Sequence, residues 1–401
     1  MNGNGVKTAL PLAGVRILDL TSVIMGPYAT QMLAEYGADV IKVEPPEGDI
    51  MRGMGPVREE GMGPVFLNLN RGKRSLCLDL KAPGAGEVLL RAVGTADVFI
   101  TNMRQGALAR LGLGWEDLKR HHPTLIYVFL SGFAQDGPYA GRPAYDDLIQ
   151  GMVGLPALVA SAGDGEPRYL PLNIADKTMG LFAAQTVLAA LLQRDRNAAH
   201  AQGQFIEVPM FETMANFVLL DHLAGASFEP PLGPPGNPRL LSRYRKPYRT
   251  QDGWLSTLLY TDRHWESFLR LVGQEALWHG DSRFRTMASR TQHIDAVYAF
   301  VEQRIARQPT AHWLAVLKDA DIPVARIPDV DALIRELRDS GHGPVRAYAD
   351  ARGNSYMGLE PAARWLHAQP VAGRAAPRLG EHTEEILREL SASEAHADSA
   401  F

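Results

Sequence analysis

Residues 14–44 read GVRILDLTSVIMGPYATQMLAEYGADVIKVE. The opening VRILDL is an apolar, β-branched run of strand length, GPYATQMLAEYG carries apolar residues at helical spacing with Gly37 at its end, and ADVIKVE is a second strand. A strand, a helix and a strand in so short a span make a βαβ unit, and its two strands run parallel because the helix returns the chain to the same edge. The stretch therefore predicts an α/β fold with a parallel sheet covered by helices.

Working outward, the alternation continues through RSLCLDL, APGAGEVLLRAVGTA, DVFITN, GALARLG and LIYVFLSGF, so residues 1–200 are expected to supply the N-terminal part of one large doubly wound domain. Residues 201–225, which open with polar character and include the strand-like FIEVPM, are read as a linker. Pro230 to Pro238 is too dense in proline and glycine for regular structure and reads as a linker or an irregular active-site loop, a lid being one possibility. Beyond it, YRTQDGWLSTLLY predicts a hairpin about Asp252-Gly253, followed by two helical patterns, so residues 226–325 are assigned to a smaller α+β domain. Strand and helix signals in residues 326–401 are consistent with a return to the large domain.

Bulk properties narrow the function. A 401-residue chain is long enough for two domains, and 46% hydrophobic with 21% charged residues is ordinary globular usage. A formal charge of -4 argues against broad binding of nucleic acid or of an anionic membrane, so any anion site is local. The single cysteine, Cys77, excludes an intrachain disulfide and leaves a cysteine-based metal site without partners. The N-terminal MNGNGVKTAL has no apolar leader core, and the longest apolar stretch, Met179 to Leu192, is too short for a membrane span. These features fit a cytoplasmic protein.

The residues leave two contests open. A nicotinamide site would use Glu44 on the ribose, but Gly26 is the one glycine between Ser22 and Gln31, where a dinucleotide fingerprint needs three. Arg71, Lys73, Arg74, Lys81, Arg104 and Arg110 lie around two strands and either bind a diphosphate with a further phosphate, as in coenzyme A, or are solvated surface cations. Asp176 precedes an apolar helix and is either its cap or a dry carboxylate competent to attack an acyl carbon. His121-His122 reads as a capping or solvated pair, and His382 as part of a helix N-terminus with Thr383 as its cap.

Taken together, PLAGVRILDLTSVIMGPYATQMLAEYGADVIKVEPPEGD, LNRGKRSLCLDLK, ADVFITNMRQGALARLGLGWEDL, SGFAQDGPYAGRPAYDDL and the closing LGEHTEEIL resemble the class III CoA-transferases, also called the CaiB/BaiF family. The resemblance implies a Rossmann-like large domain built from both chain ends, a smaller inserted domain, and two subunits interlocked as a homodimer. It implies a nucleophilic aspartate at Asp176, and contacts to CoA from Val23, Ile24, Met25, Leu78, Lys81, Asn102, Met103, Arg110 and Arg142. The substrates implied are an acyl-CoA and a small carboxylic acid, with no permanently bound cofactor and no metal. The chain departs from the formyl-CoA transferases at Ile24, where they carry glutamine, and at Pro45, where they carry arginine, so the formyl/oxalate pair does not carry over.

The same fold is similar to that of the α-methylacyl-CoA racemases, in which the equivalent aspartate acts as a base opposite the histidine of G-H-D-I-N-Y. Here AYDDLI places Tyr145 at that histidine, and a phenol with a pKa of about 10 is a poor proton-exchange partner at neutral pH. A CoA-binding protein without turnover is the third alternative. The basic, aromatic SRYRKPYRT is read as a loop in which Arg243 and Arg245 meet a substrate carboxylate, or as an exposed junction.

Overall fold

A computed structural model describes residues 9–341, 343–349, 352–363, 365 and 374–398. Residues 1–8, the first part of the stretch read above as lacking a leader core, lie outside the described residues.

Six strands form one parallel sheet: β1 (Arg16–Leu20), β2 (Asp39–Glu44), β3 (Arg74–Cys77), β4 (Val98–Thr101), β5 (Ile126–Ser131) and β6 (Gln204–Pro209), in the order β3-β2-β1-β4-β5-β6. The Met25–Glu35 helix is the crossover expected from residues 14–44. Strand order reverses between β1 and β4, so the loops leaving these two strands diverge and open a crevice at their C-terminal ends. The central strands are largely buried between covering helices: all six residues of β5 are buried, and so are all four of β4.

The C-terminal helix Thr383–Asp398 returns to this sheet. Ile386 and Leu390 are buried with Leu18, Ile41, Leu76 and Leu89 in one core, and Arg74 joins β3 to Glu385 and Glu389 of the helix. The chain thus divides into two compact units, one comprising the residues up to Met152, Pro171–Ala215 and those from Ser340 on, the other Val153–Leu170 and Asn216–Asp339. These boundaries differ from the sequence expectation in several respects: Val153–Leu170, expected within the large domain, belongs to the second unit, and so does 216–225 of the expected linker. β6 pairs with β5 along its whole length, which keeps residues 204–209 in the sheet and out of a linker. The run 324–339, read partly as the start of the return, contributes β9 (Val324–Arg326) and the Val330–Asp339 helix to the second unit.

Within that second unit, β7 (Tyr248–Arg249) and β8 (Trp254–Thr257) form the hairpin about Asp252-Gly253, and β9 completes a three-stranded antiparallel sheet. The Asp252 carboxylate accepts from the backbone N–H and hydroxyl of Thr310, fixing the turn to a neighbouring helix. Trp265, Phe268, Phe284, Val301 and Trp313 fill its core. Arg243 and Arg245 are exposed just ahead of β7.

Candidate active site

Asp176 sits in the first turn of the Ile174–Arg196 helix and is 8% exposed. It is not the cap. The helix N-terminus is capped from another segment: Asp146, 5% exposed and first residue of the Asp146–Met152 helix, accepts the Asp176 backbone N–H at 2.9 Å. The other oxygen of Asp146 accepts from Gln150 Nε2 at 2.6 Å, and the same amide donates to the Leu172 carbonyl, which braces the approach to the helix. Among the described residues no side chain donates to the Asp176 carboxylate itself. Burial, and then the neighbouring Asp146 carboxylate, push Asp176 up to about 7, while Lys177 pulls it back. The carboxylate is therefore available near neutral pH as an anion that little around it stabilises.

Glycines bring the loop after β1 against this helix. A Cβ at Gly180, one turn beyond Asp176, would lie 2.8 Å from the Met25 carbonyl, and a Cβ at Gly26 would lie 2.3 Å from Thr21 Cβ. Only a bare backbone permits that approach. Val23 in the same loop has φ of 72°, a left-handed conformation that a β-branched residue adopts only when held there. Asn102, after β4, does part of the holding: Ser22 N–H donates to its Oδ1 at 3.1 Å and its Nδ2 donates to the Ser22 carbonyl at 3.0 Å. The loops of β1 and β4 are thus tied across the crevice.

The remaining residues expected to contact CoA lie around the same sheet edge. Leu78 and Lys81 follow β3, Met103 follows β4, Arg110 ends the Gln105–Arg110 helix, and Arg142 lies in the loops beyond β5 with its guanidinium 4.9 Å from the Tyr139 ring centre. Lys81, Arg104, Arg110 and Arg142 are exposed and make no ion pair among the described residues. Ile24 is half-buried and packs, with Val23, against Met51, Phe66 and Ala376.

The wider basic cluster separates into two sets, and both sequence readings are corrected for Arg71, Lys73 and Arg74 alone. Lys73 is fully buried and binds Asp19 at 3.2 Å and Thr30 at 2.7 Å; Arg71 pairs with Glu35 at 2.8 Å; Arg74 pairs with Asp39 at 2.7 Å as well as with the C-terminal helix. These three are neither solvated cations nor free to meet a diphosphate, because carboxylates from elements remote in sequence neutralise them. Glu44, considered for a ribose, is buried against Arg52 and Ser75. His382 stands at the N-terminus of the C-terminal helix as expected, its carbonyl accepting the Ile386 N–H. Its ring accepts the Ser75 N–H while the Thr383 hydroxyl, instead of capping the helix, accepts the Cys77 N–H, so both stitch the C-terminal segment to β3. His122 bonds the Ala96 carbonyl at 2.8 Å.

Sequence reasoning did not single out Asp146. Its signal was the paired Asp146-Asp147 opening a helix thirty residues before Asp176, but a first-turn acid is ordinarily a surface charge. Tyr145, 73% exposed, takes no part in the buried pair. Among the described residues no helix is long and apolar enough to cross a membrane, and no cluster of three or more histidine, cysteine or acidic side chains could hold a metal ion.

Comparison with known proteins accords with this geometry. The family model of CoA-transferase family III matches residues 12–383. The succinate–glutarate CoA-transferase of Agrobacterium fabrum is 30% identical over 393 residues, covering 96% of either chain. The succinyl-CoA:glutarate CoA-transferase of Mus musculus is 30% identical over 384 residues, 95% of this chain and 86% of that one. Among solved structures, a CaiB/BaiF family protein from Brucella suis superposes with a TM-score of 0.78 at 31% identity, over 96% of this chain and all of its own. The buried aspartate in the first turn of a long helix is thus set in a chain that belongs to CoA-transferase family III, and the protein is an enzyme of that class.

Proposed function

We propose that this enzyme moves CoA from an acyl-CoA thioester to a free carboxylic acid with Asp176 as the nucleophile. One Asp176 carboxylate oxygen attacks the thioester carbonyl; the C–S bond breaks, CoA leaves as the thiolate, and an acyl-aspartyl anhydride remains. The thiolate attacks the aspartyl carbonyl and releases the donor acid as its carboxylate, leaving an aspartyl-CoA thioester. The acceptor carboxylate attacks that thioester, freeing the thiolate again, which takes the new acyl group and restores the Asp176 carboxylate. Charge and atoms balance without an external proton or electron.

The observation that carries this reading is the buried Asp176 carboxylate with no donor among the described residues, raised to about 7 beside Asp146, in a chain of this family. A desolvated carboxylate gives up little hydration on attack, and the backbone N–H groups of a helix start stabilise developing oxyanion charge. Lys81, Arg104, Arg110 and Arg142 are the exposed cations we assign to the CoA phosphates, each by charge-assisted hydrogen bonds.

We further propose an interlocked, cytoplasmic homodimer. The Leu155–Ala162 helix, LPALVASA, has none of its residues buried, and Leu181, Phe182, Phe217 and Leu220 are exposed on other helices, Leu220 by 87%. Apolar surface of this extent is ordinarily covered by a partner. Analytical ultracentrifugation should give twice the chain mass; a monomer at micromolar concentration would remove the dimer.

The mechanism is tested by incubating the protein with a panel of acyl-CoAs, short dicarboxylyl-CoAs first, trapping with hydroxylamine and mapping peptides by mass spectrometry. A hydroxamate on Asp176 is expected. CoA binding with no adduct from any donor would overturn the mechanism, and α-proton exchange in deuterated water would then separate a racemase from a protein without turnover.

A further inference from the structure

The loop Thr21–Met25 is the least relaxed part of the site, and a buried ion pair that the chemistry does not use lies directly beneath it. Lys42 and Asp49 bond at 2.9 Å with their side chains 0% and 1% exposed. Both also reach the loop. Asp49 accepts the Val23 N–H with both carboxylate oxygens at 3.3 Å, and Lys42 Nζ donates to the Thr21 carbonyl at 2.8 Å. Asp49 is itself aligned, accepting the Met51 N–H at 3.0 Å while its own N–H donates to Glu44 at 3.1 Å.

A buried ion pair is a weak device for stability, since desolvation offsets much of the attraction. It is a strong device for fixing geometry, because each partner needs its remaining hydrogen bonds satisfied in one arrangement. Here the groups that satisfy them are the backbone atoms flanking Val23. The Val23 conformation is disfavoured for a β-branched side chain and persists only if the surroundings over-determine it. Asn102 grips Ser22 from the other side of the crevice, but that grip leaves the Val23 N–H to Asp49.

We propose that Asp49, anchored by Lys42, is a positioning residue that holds Val23 in its left-handed turn and so sets the loop that meets CoA beside the Asp176 helix. Its function is to present the Val23–Met25 backbone in one conformation before the ligand arrives. The cost of ordering the loop is then met during folding and not during binding. The inference rests on the proposed CoA contact of Val23–Met25. It is read by binding and not by turnover, so failure to find an aspartyl adduct would leave it standing.

The test holds charge constant. K42M/D49N and K42M/D49L both abolish the ion pair, but only the first retains an oxygen to accept from Val23. Calorimetric titration of the full chain with CoA is expected to show K42M/D49L weaker than K42M/D49N by about tenfold, the scale of one unfavourable backbone conformation. Adding Val23→Gly to K42M/D49L should recover most of that loss, because glycine takes positive φ unaided. A merely structural pair would not be relieved by a change at Val23. If K42M/D49L does not fold, K42M/D49A, which likewise leaves the Val23 N–H without the Asp49 acceptor, gives the same comparison with and without Val23→Gly. Equal affinities for the two double variants, or a loss that Val23→Gly leaves untouched, overturns the proposal.

Discussion

Asp146 accepts the backbone N–H of Asp176 at 2.9 Å, so one carboxylate caps the helix that carries the other. Burial, and then the like charge that the cap places beside it, raise the proton affinity of the proposed nucleophile Asp176. Structural order and chemical activation come from the same contact.

Asp146→Asn keeps an oxygen for the Asp176 N–H and removes the like charge. The rising limb of kcat/KM against pH should move below its wild-type position near 7, with a loss of only a few-fold at pH 8. Asp146→Ala loses the cap as well and should cost about tenfold or more in kcat. An unshifted limb in Asp146→Asn would remove Asp146 from the ionisation of Asp176.

Asp176→Asn should abolish transfer and raise stability at pH 8. The sign follows from linkage: the folded protein holds its Asp176 proton up to about 7, far above the ordinary carboxylate value, so it binds more protons than the unfolded chain between about 4 and 7 and stability falls as pH rises through that window. Above it, the wild type carries the full penalty of a buried anion, of order 1–4 kcal/mol. Urea denaturation at pH 8 should favour the variant, and the difference should shrink towards pH 4.

Gly180→Ala would press a Cβ to 2.8 Å from the Met25 carbonyl and 2.9 Å from Tyr28 Cδ1. Backbone on the facing helix yields little, so a loss of about 1–3 kcal/mol is expected, together with weaker CoA binding as the Val23–Met25 loop is displaced. Thermal denaturation and CoA titration read the two effects separately. Unchanged values in both would mean that the helices separate freely.

Lys81→Ala and Arg110→Ala should weaken CoA binding about three- to tenfold, flatten its salt dependence and leave Tm unchanged, since both side chains are exposed and form no ion pair among the described residues. Arg74→Ala should do the reverse. It removes the ion pairs to Asp39, Glu385 and Glu389 while Arg16 still holds Asp39 and Glu389, and a loss of about 1–3 kcal/mol in stability is expected with little change in CoA affinity.

Much of the architecture is legible in local patterns. Residues 14–44 announce a βαβ unit because a buried parallel strand is rich in apolar and β-branched residues and its crossover helix carries them at helical spacing, and both patterns are visible within about thirty residues. Asp252-Gly253 announces its hairpin for an equally local reason, the turn chemistry of two residues. Asp176 stands out as a charge against an apolar helix, and the family resemblance is what raises the nucleophile reading above the cap.

What the sequence by itself determined was the succession of strands and helices, the family and the candidate for the reactive carboxylate, since periodicity and motif register are properties of short segments. Only the tertiary structure decided which charges are chemistry and which are framework. Arg74 meets Asp39 across 35 residues and Glu389 across 315, Lys73 meets Asp19 across 54, and Asp176 meets Asp146 across 30. A charged side chain is solvated, paired or activated according to what faces it after folding, and Coulomb energy and desolvation depend on distance in space and not on distance along the chain.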